Sequence, residues 1–260
     1  MQPRFERLTD DQWQIIKLFF NWQRKRKHDL REILDAILWV TRTGSQWRNL
    51  SGEFPPWESV YYYFVKWGQD GTWELICQAL NTVERIQEDR EATPSLGLVD
   101  SQSVKLSPRI GLERGLDGNK KINGRKRQIL VDVKGRIWKA SVHAANKHDS
   151  PQGVDLLANV PEELPRLKKI MADQSYRGTF AQAVEKLHLA FEVPCREDGT
   201  VGFVVEAKRW VVERTFAWLN FFRRIVVDYE RNPENAQSFL FIANISIVIS
   251  KINWVELQNF

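Results

Sequence analysis

The sequence predicts an α/β protein in two parts: an all-helical unit over residues 1–90, and a domain over 95–260 that mixes strands and helices. Three observations lead there. Apolar residues recur at helical spacing through the first ninety positions, with cap and stop signals between the runs. A polar stretch, 88–95, follows and contains Pro94. Beyond it, apolar runs of strand length alternate with helical ones, and two of those short runs end in an aspartate.

Thr9 followed by Gln12 is a capping-box pattern and opens a helix through Phe20. The basic run Arg24–His28 reads either as a solvated face or as part of a binding surface. Asp29, with Glu32 three residues on, caps a helix whose Leu30, Ile33, Leu34, Ile37, Leu38 and Thr41 recur at helical spacing, and Gly44 stops it. Pro56 suits the first position of a helix from Trp57 to Trp67, ended by Gly68. Tyr61, Tyr62 and Tyr63 run consecutively round that helix and cannot all face inward. A further helix, 72–88, carries Trp73, Ile76, Cys77, Leu80 and Val83 on its apolar side. Short helices joined by tight turns suit a helix-turn-helix-like DNA-binding unit, although small bundles of other function look the same.

Leu96–Asp100 is the first predicted strand, Gln128–Val133 the second and Ile137–His143 the third; Lys134-Gly135 is the hairpin turn between the last two. In the third strand Trp138, Ala140 and Val142 are expected to share one face. A helix over 150–157, a strand Ile170–Asp173, a helix over 179–187 and a strand over 190–193 follow. Two helices, 206–222 and 235–254, complete the expectation.

The net charge of +5 favours an anionic partner. Two cysteines and four histidines without a Cys-x-x-Cys pair exclude a zinc ribbon, and the thiols are expected to be reduced in a cytoplasmic protein. The polar N-terminus has no apolar leader core. The longest apolar stretch, Phe239–Ile249, is interrupted by Asn244 and Ser246 and falls short of the roughly 20 residues a membrane span needs. Phosphate-loop, nucleophile-elbow and His-Glu-x-x-His patterns are missing from the sequence.

A carboxylate at the end of a buried strand costs free energy unless it is paired, hydrogen-bonded or bound to a metal. Asp100 and Asp173 both stand there. Two such groups repel each other, and a bound Mg²⁺ relieves the repulsion. A third acid, Glu213, lies on a helical stripe with Arg209, Ala217, Asn220 and Arg224, while Val211, Thr215, Trp218 and Phe222 form an apolar stripe. Glu213 can therefore face a polar site while its helix packs on the sheet; the alternative is a surface pair with Arg209 worth a few tenths of a kcal/mol. Between Lys105 and Arg127 lie Lys105, Arg109, Arg114, Lys120, Lys121, Arg125, Lys126 and Arg127, against only Glu113 and Asp117. Glycines 111, 115, 118 and 124 make the segment loop-like: a clamp for a phosphate backbone, or a solubilising loop. His143 and His148 either touch substrate or are satisfied structural residues.

Five segments carry a resemblance: Val99-Asp100-Ser101, the run Asp117–Arg127, His143-Ala144-Ala145-Asn146, the run Ala172–Gly178 and the run Trp210–Trp218. Together with Gly44–Arg48 and Trp57–Trp67 they resemble the DDE transposases of bacterial insertion sequences, and within these insertion-sequence family five. The resemblance covers nearly the whole chain. It implies a ribonuclease-H-like fold, a mixed sheet flanked by helices, with Mg²⁺ or Mn²⁺ held by a catalytic triad that falls on Asp100, Asp173 and Glu213. It implies cleavage at the ends of an insertion sequence and joining of the freed 3′-hydroxyl to target DNA by two-metal phosphoryl transfer. It also implies a homo-oligomer, at least a dimer, that brings two DNA ends together in the bacterial cytoplasm. The family's pattern near the glutamate is Tyr-x-x-Arg-x-x-x-Glu-x-x-x-x-x-x-Lys. Arg209 and Glu213 fit it, whereas Glu206 and Asn220 depart from it, which leaves Arg223 or Arg224 as substitutes for the lysine's DNA contact. A metal-dependent nuclease without joining, and a DNA-binding repressor that has lost catalysis, are the alternatives.

Overall fold

The computed structural model describes residues 5–20, 23, 25–194 and 210–254. Helix α1 (Asp10–Ile16) opens on the expected capping box: the Gln12 amide donates to Thr9 Oγ1 at 3.3 Å and the Thr9 amide to Gln12 Oε1 at 2.9 Å. Helix α2 (Leu30–Thr43) is capped by Asp29, whose carboxylate accepts from the Arg31 amide. It ends at Gly44 in the left-handed conformation, φ 74°, where a Cβ would also stand 2.9 Å from Arg223 Cβ. Helices α3 (Trp57–Gln69) and α4 (Thr72–Gln87) follow.

The sheet comprises β1 (Leu96–Lys105), β2 (Gly115–Asp117), β3 (Ile122–Val131), β4 (Ile137–Ala144), then, after the short helices α5 (Asp149–Gly153) and α6 (Val160–Glu163), β5 (Lys169–Ala172). Helix α7 (Thr179–Lys186) leads to β6 (Ala190–Glu192), and helices α8 (Trp210–Leu219) and α9 (Pro233–Ile249) follow. Strands β1, β3 and β4 form an antiparallel meander with β2 also on β3; β5 joins β1 in parallel and β6 joins β5 in parallel. This is the mixed sheet flanked by helices expected of a ribonuclease-H-like domain, preceded by a helical region.

Two strand boundaries differ from expectation, with consequences for the basic segment. β1 does not stop at Asp100 but runs ten residues to Lys105, and β3 starts at Ile122, pairing Lys105 with Gly124 and Gln102 with Arg127. The stretch expected to be one mobile loop is strand at its two ends and over Gly115–Asp117 and loop between, and Arg125, Lys126 and Arg127 in it find buried partners elsewhere in the chain. β4 also departs from simple alternation. Its register on β3 shifts at Leu130/Val131, and this bulge turns Trp138 to the face opposite Ala140.

Alternation sorts the sheet into two buried faces. Leu98, Ile129, Val131 and Ala140 belong to a core shared with α8, α9 and the N-terminal helices; Val99, Leu130, Trp138 and Ile170 belong to a second core under α7. The first core runs from Ile16, Ile33, Phe64 and Trp73 to Phe239 and Ile242, so the break near Pro94 separates elements but not cores. Buried polar contacts cross it too. Arg136 forks onto Glu84 at 2.5 and 2.6 Å, Arg85 pairs with Asp132 at 2.6 Å, and Asn81 and Asn244 bond both the Ile137 backbone and each other. Cys77 is a buried free thiol, and Cys195 lies outside the described residues.

Candidate active site

The parallel register of β1 and β5 places Val99 beside Ala172, so the next residues, Asp100 and Asp173, stand side by side where β5 leaves β1. Asp100 is thus at the end of the parallel ladder although its own strand continues. Both are half-buried. They share the face of Leu98 and Met171, which is also the face that α8 covers: Val212 lines a small cavity with Leu98, Val99, Met171 and Ala172. Asp100 Oδ1 accepts from the Ser101 amide at 2.7 Å, and Asp173 Oδ1 accepts from the Ser175 amide at 2.8 Å. These bonds orient the two carboxylates.

Behind the pair lies a residue that sequence reasoning left unweighed. Tyr176 is fully buried, and burial pushes its pKa well up; the charges of Asp149, Asp100 and Asp173 add to the rise, and Ser101 opposes it. Its hydroxyl therefore stays protonated beside three acids. Asp149, on α5, is paired with Lys126 at 3.2 Å and accepts from Gln128 at its backbone oxygen. Tyr176 lies in the run Ala172–Gly178, three residues after Asp173, whereas Asp149 stands outside the segments that carry the resemblance. His143 is buried beside them, with Nδ1 3.0 Å from the Ala144 carbonyl oxygen, and burial lowers its pKa. Its buried Nε2 has no hydrogen-bond partner among the described residues.

Glu213 is exposed on α8, one residue past Val212. The helix is pinned to the β3–β4 hairpin, where Thr215 donates to the Gly135 carbonyl at 3.1 Å; Gly135, at φ 82°, has no room for a Cβ beside Thr215. Among the described residues no three His, Cys, Asp or Glu side chains come together as a metal-holding group. The register brings the two aspartates together, and Glu213 is exposed on α8. A pair of hard oxygen ligands on a partly open face still suits an ion of the magnesium type, which is bound through one or two carboxylates with substrate phosphate completing its shell.

The basic residues divide sharply. Lys105, Lys120, Lys121 and Arg223 are exposed. Arg125 is fully buried, paired with Asp228 at 2.9 Å and donating to the carbonyls of Leu112, Glu230 and Arg231. Arg127 is buried against Gln102 and the Ile225 carbonyl, with its pKa lowered to about 10 by burial. Lys126 donates to the Lys147 carbonyl, and Arg224 is buried on Glu230. Arg125, Lys126 and Arg224 are ion-paired inside the fold with Asp228, Asp149 and Glu230, and Arg127 is buried on the neutral Gln102 side chain and the Ile225 carbonyl, so none of the four stands on the surface as the expected DNA contact requires. Arg209, Glu206 and Arg24 lie outside the described residues.

Comparison with known proteins gives two matches to family models. One, described as "Putative transposase of IS4/5 family", covers residues 8–77; the other, "Transposase DDE domain", covers residues 91–249. A curated relative from Burkholderia cepacia, "Putative transposase for insertion sequence element IS402", is 29% identical over 124 residues, which is 45% of this chain and 59% of that protein. The chain thus spans under two thirds of that relative. The protein y4sN of Sinorhizobium fredii, described as uncharacterized, is 29% identical over 102 residues, 38% of this chain and 75% of that protein. Among solved structures, a simian T-cell lymphotropic virus intasome in complex with the PP2A regulatory subunit B56 gamma overlaps 62% of this chain and 49% of the matched one, at 16% identity and a TM-score of 0.37.

Proposed function

The chain belongs to the transposase DDE domain family, and from that premise we propose that it cleaves phosphodiesters at the ends of an insertion sequence and joins the freed 3′-hydroxyl to target DNA. The observation that carries this reading is the side-by-side placement of Asp100 and Asp173 at the end of the β1–β5 parallel ladder. Asp100 and Asp173 hold a divalent cation, Mg²⁺ or Mn²⁺, with Glu213 as third ligand. The bound ion supplies Lewis-acid stabilisation of the attacked phosphate and lowers the pKa of attacking water. The Ser101 and Ser175 amides orient the two carboxylates, and buried Tyr176 with the Lys126–Asp149 pair backs the strand ends against movement. Exposed Lys105, Lys120, Lys121 and Arg223 supply phosphate contacts that position DNA, and Arg209 belongs to the same set. Bringing two element ends together calls for at least two copies of the chain.

The test is incubation of the purified protein with a mini-element carrying the native ends and either Mg²⁺ or Mn²⁺. Cleaved and joined products are expected. Asp100→Asn and Asp173→Asn should lose both products while retaining end binding, because ligand carboxylates act on chemistry and bases act on affinity. Cleavage that survives in either variant removes the metal-site reading. Cleavage without joined products leaves a nuclease, and binding without cleavage in the unaltered protein leaves a repressor.

A further inference from the structure

Two open-sided recesses meet at the end of the basic run 24–28, a run that the aspartate site leaves unused. One, of about 410 Å³, lies against α1, and its walls include Trp13, Lys17, Arg26 and Lys27. The second, of about 300 Å³, lies against α3, where Glu58, Tyr62 and Tyr63 line it together with Lys27. Lys27 and His28 belong to the walls of both. A ladder of rings joins the two. Between ring centroids, Trp13 lies 6.2 Å from Phe20, Phe20 4.3 Å from Trp67, Trp67 5.1 Å from Tyr63 and Tyr63 5.2 Å from Tyr62. Phe20 and Trp67 are buried, so the middle of the ladder is close-packed core and fixes where its two ends stand.

The outer ring of the ladder is not used up by the core. Tyr62 is 59% exposed and meets Tyr63 at 79°, edge to face rather than stacked. The charged residues lining the two recesses are Lys17, Arg26 and Lys27 against Asp29 and Glu58, with His28 between them. Asp29 is engaged as the cap of α2, where its carboxylate accepts from the Arg31 amide at 2.9 Å. Lys27, common to both recesses, is exposed and forms no ion pair among the described residues. Lys25, two residues earlier in the run, adds a further exposed positive charge. An exposed aromatic ring beside free ammonium groups suits a partner that carries both flat rings and negative charge.

We propose that the two recesses form a groove for single-stranded DNA, with one base against Tyr62, a neighbouring base in the Trp13 recess and the phosphate between them on Lys27. The inference rests on the proposed action of the chain on DNA, and it uses neither aspartate. Unpaired bases stack on aromatic side chains whatever their sequence, because every base has a π-face. A base inside a duplex is already stacked on its neighbours and reaches such a recess only by leaving the helix. The recess at Tyr62, about 300 Å³, stands at the small end of ligand pockets and is of a size for one base.

The test is fluorescence anisotropy of the full chain, without divalent metal, with a labelled mixed-sequence single strand of about twelve nucleotides and with the same strand made duplex. Omitting metal and element-end sequence makes the result independent of cleavage, so a chain that fails to transpose can still bind the strand as expected. Tyr62→Ala should weaken the single strand by about ten-fold, and that loss should be confined to the single strand. Tyr62→Phe should bind it like the unaltered chain, because the ring and not the hydroxyl does the stacking. Lys27→Gln should lower the slope of log affinity against log salt for the single strand by about 0.7. Both side chains are exposed, so the melting temperatures should stay level. No binding of the single strand, full affinity in Tyr62→Ala, equal losses on strand and duplex, a Tyr62→Phe chain as weak as Tyr62→Ala, or an unchanged slope in Lys27→Gln overturns the proposal.

Discussion

Glu213→Gln separates a metal ligand from a surface charge. As third ligand its loss removes most cleavage, while the melting temperature stays level or rises through relief of carboxylate repulsion; as a surface charge its loss leaves cleavage alone. His143 gives a second test at this scale. Burial lowers its pKa below the ordinary 6.5, so the folded chain keeps the imidazole neutral while the unfolded chain takes up a proton first as pH falls. The stability it contributes is complete above pH 6.5 and declines as pH drops from there toward the folded-state value. The fall in melting temperature from pH 7 to pH 5 should therefore be smaller in His143→Gln than in the unaltered chain. The two aspartates were legible as residues because each closes an apolar run. Tyr176 was not, since nothing local distinguishes a core tyrosine from one placed behind two carboxylates.

The basic segment shows how an element redistributes what its residues suggest. In sequence, the eight bases between Lys105 and Arg127 read as one patch; as strands, β1 and β3 bury Arg125 and Arg127 on one face and Lys126 on the other. Replacing Lys105, Lys120 and Lys121 by alanine should weaken DNA binding across sequences. The slope of log affinity against log salt should fall by about 0.9 for every phosphate that is no longer neutralised. The melting temperatures of these variants should not change. Arg125→Ala should behave oppositely, costing about 3–5 kcal/mol in urea unfolding because it leaves Asp228 buried and unpaired. A stable Arg125→Ala protein with a reduced salt slope would return that residue to the DNA surface. Element type was legible through the capping box at Thr9, the glycine stop at Gly44 and the hairpin glycine at 135. Strand length was not, because the partners that prolong β1 and β3 arrive about a hundred residues later, at Asp228 and Glu230.

At the scale of the molecule, α9 ties the two parts together. Its Phe239, Ile242 and Ile245 pack in the same core as Ile33, Phe64 and Trp73, and Asn244 reaches across to Asn81. Removing residues 1–94 strips that helix of one side of its packing, along with the Glu84–Arg136 and Arg85–Asp132 pairs. A fragment over 95–260 is expected to lose cooperative thermal unfolding and to expose apolar surface to dye; cooperative melting at the temperature of the full chain would show the parts to be independent after all. Asn244→Ala in the full chain tests the same junction more gently. It leaves the Ile137 amide without its buried acceptor and should cost about 1–3 kcal/mol.

By itself the sequence determined the kinds of element, their order and the two aspartates, because caps, stops, periodicity and a charge closing an apolar run are all written within a few residues. It also determined the family, since the motif segments stand in order along nearly the whole chain. Only the tertiary structure decided which bases remain outside, that Trp138 crosses to the second core, and that the composition break at Pro94 is not a break in packing. It also decided that Asp100 and Asp173 share a face beneath α8. Each of these depends on a partner remote in sequence, on a one-residue bulge or on parallel register, and none of those leaves a local pattern to read.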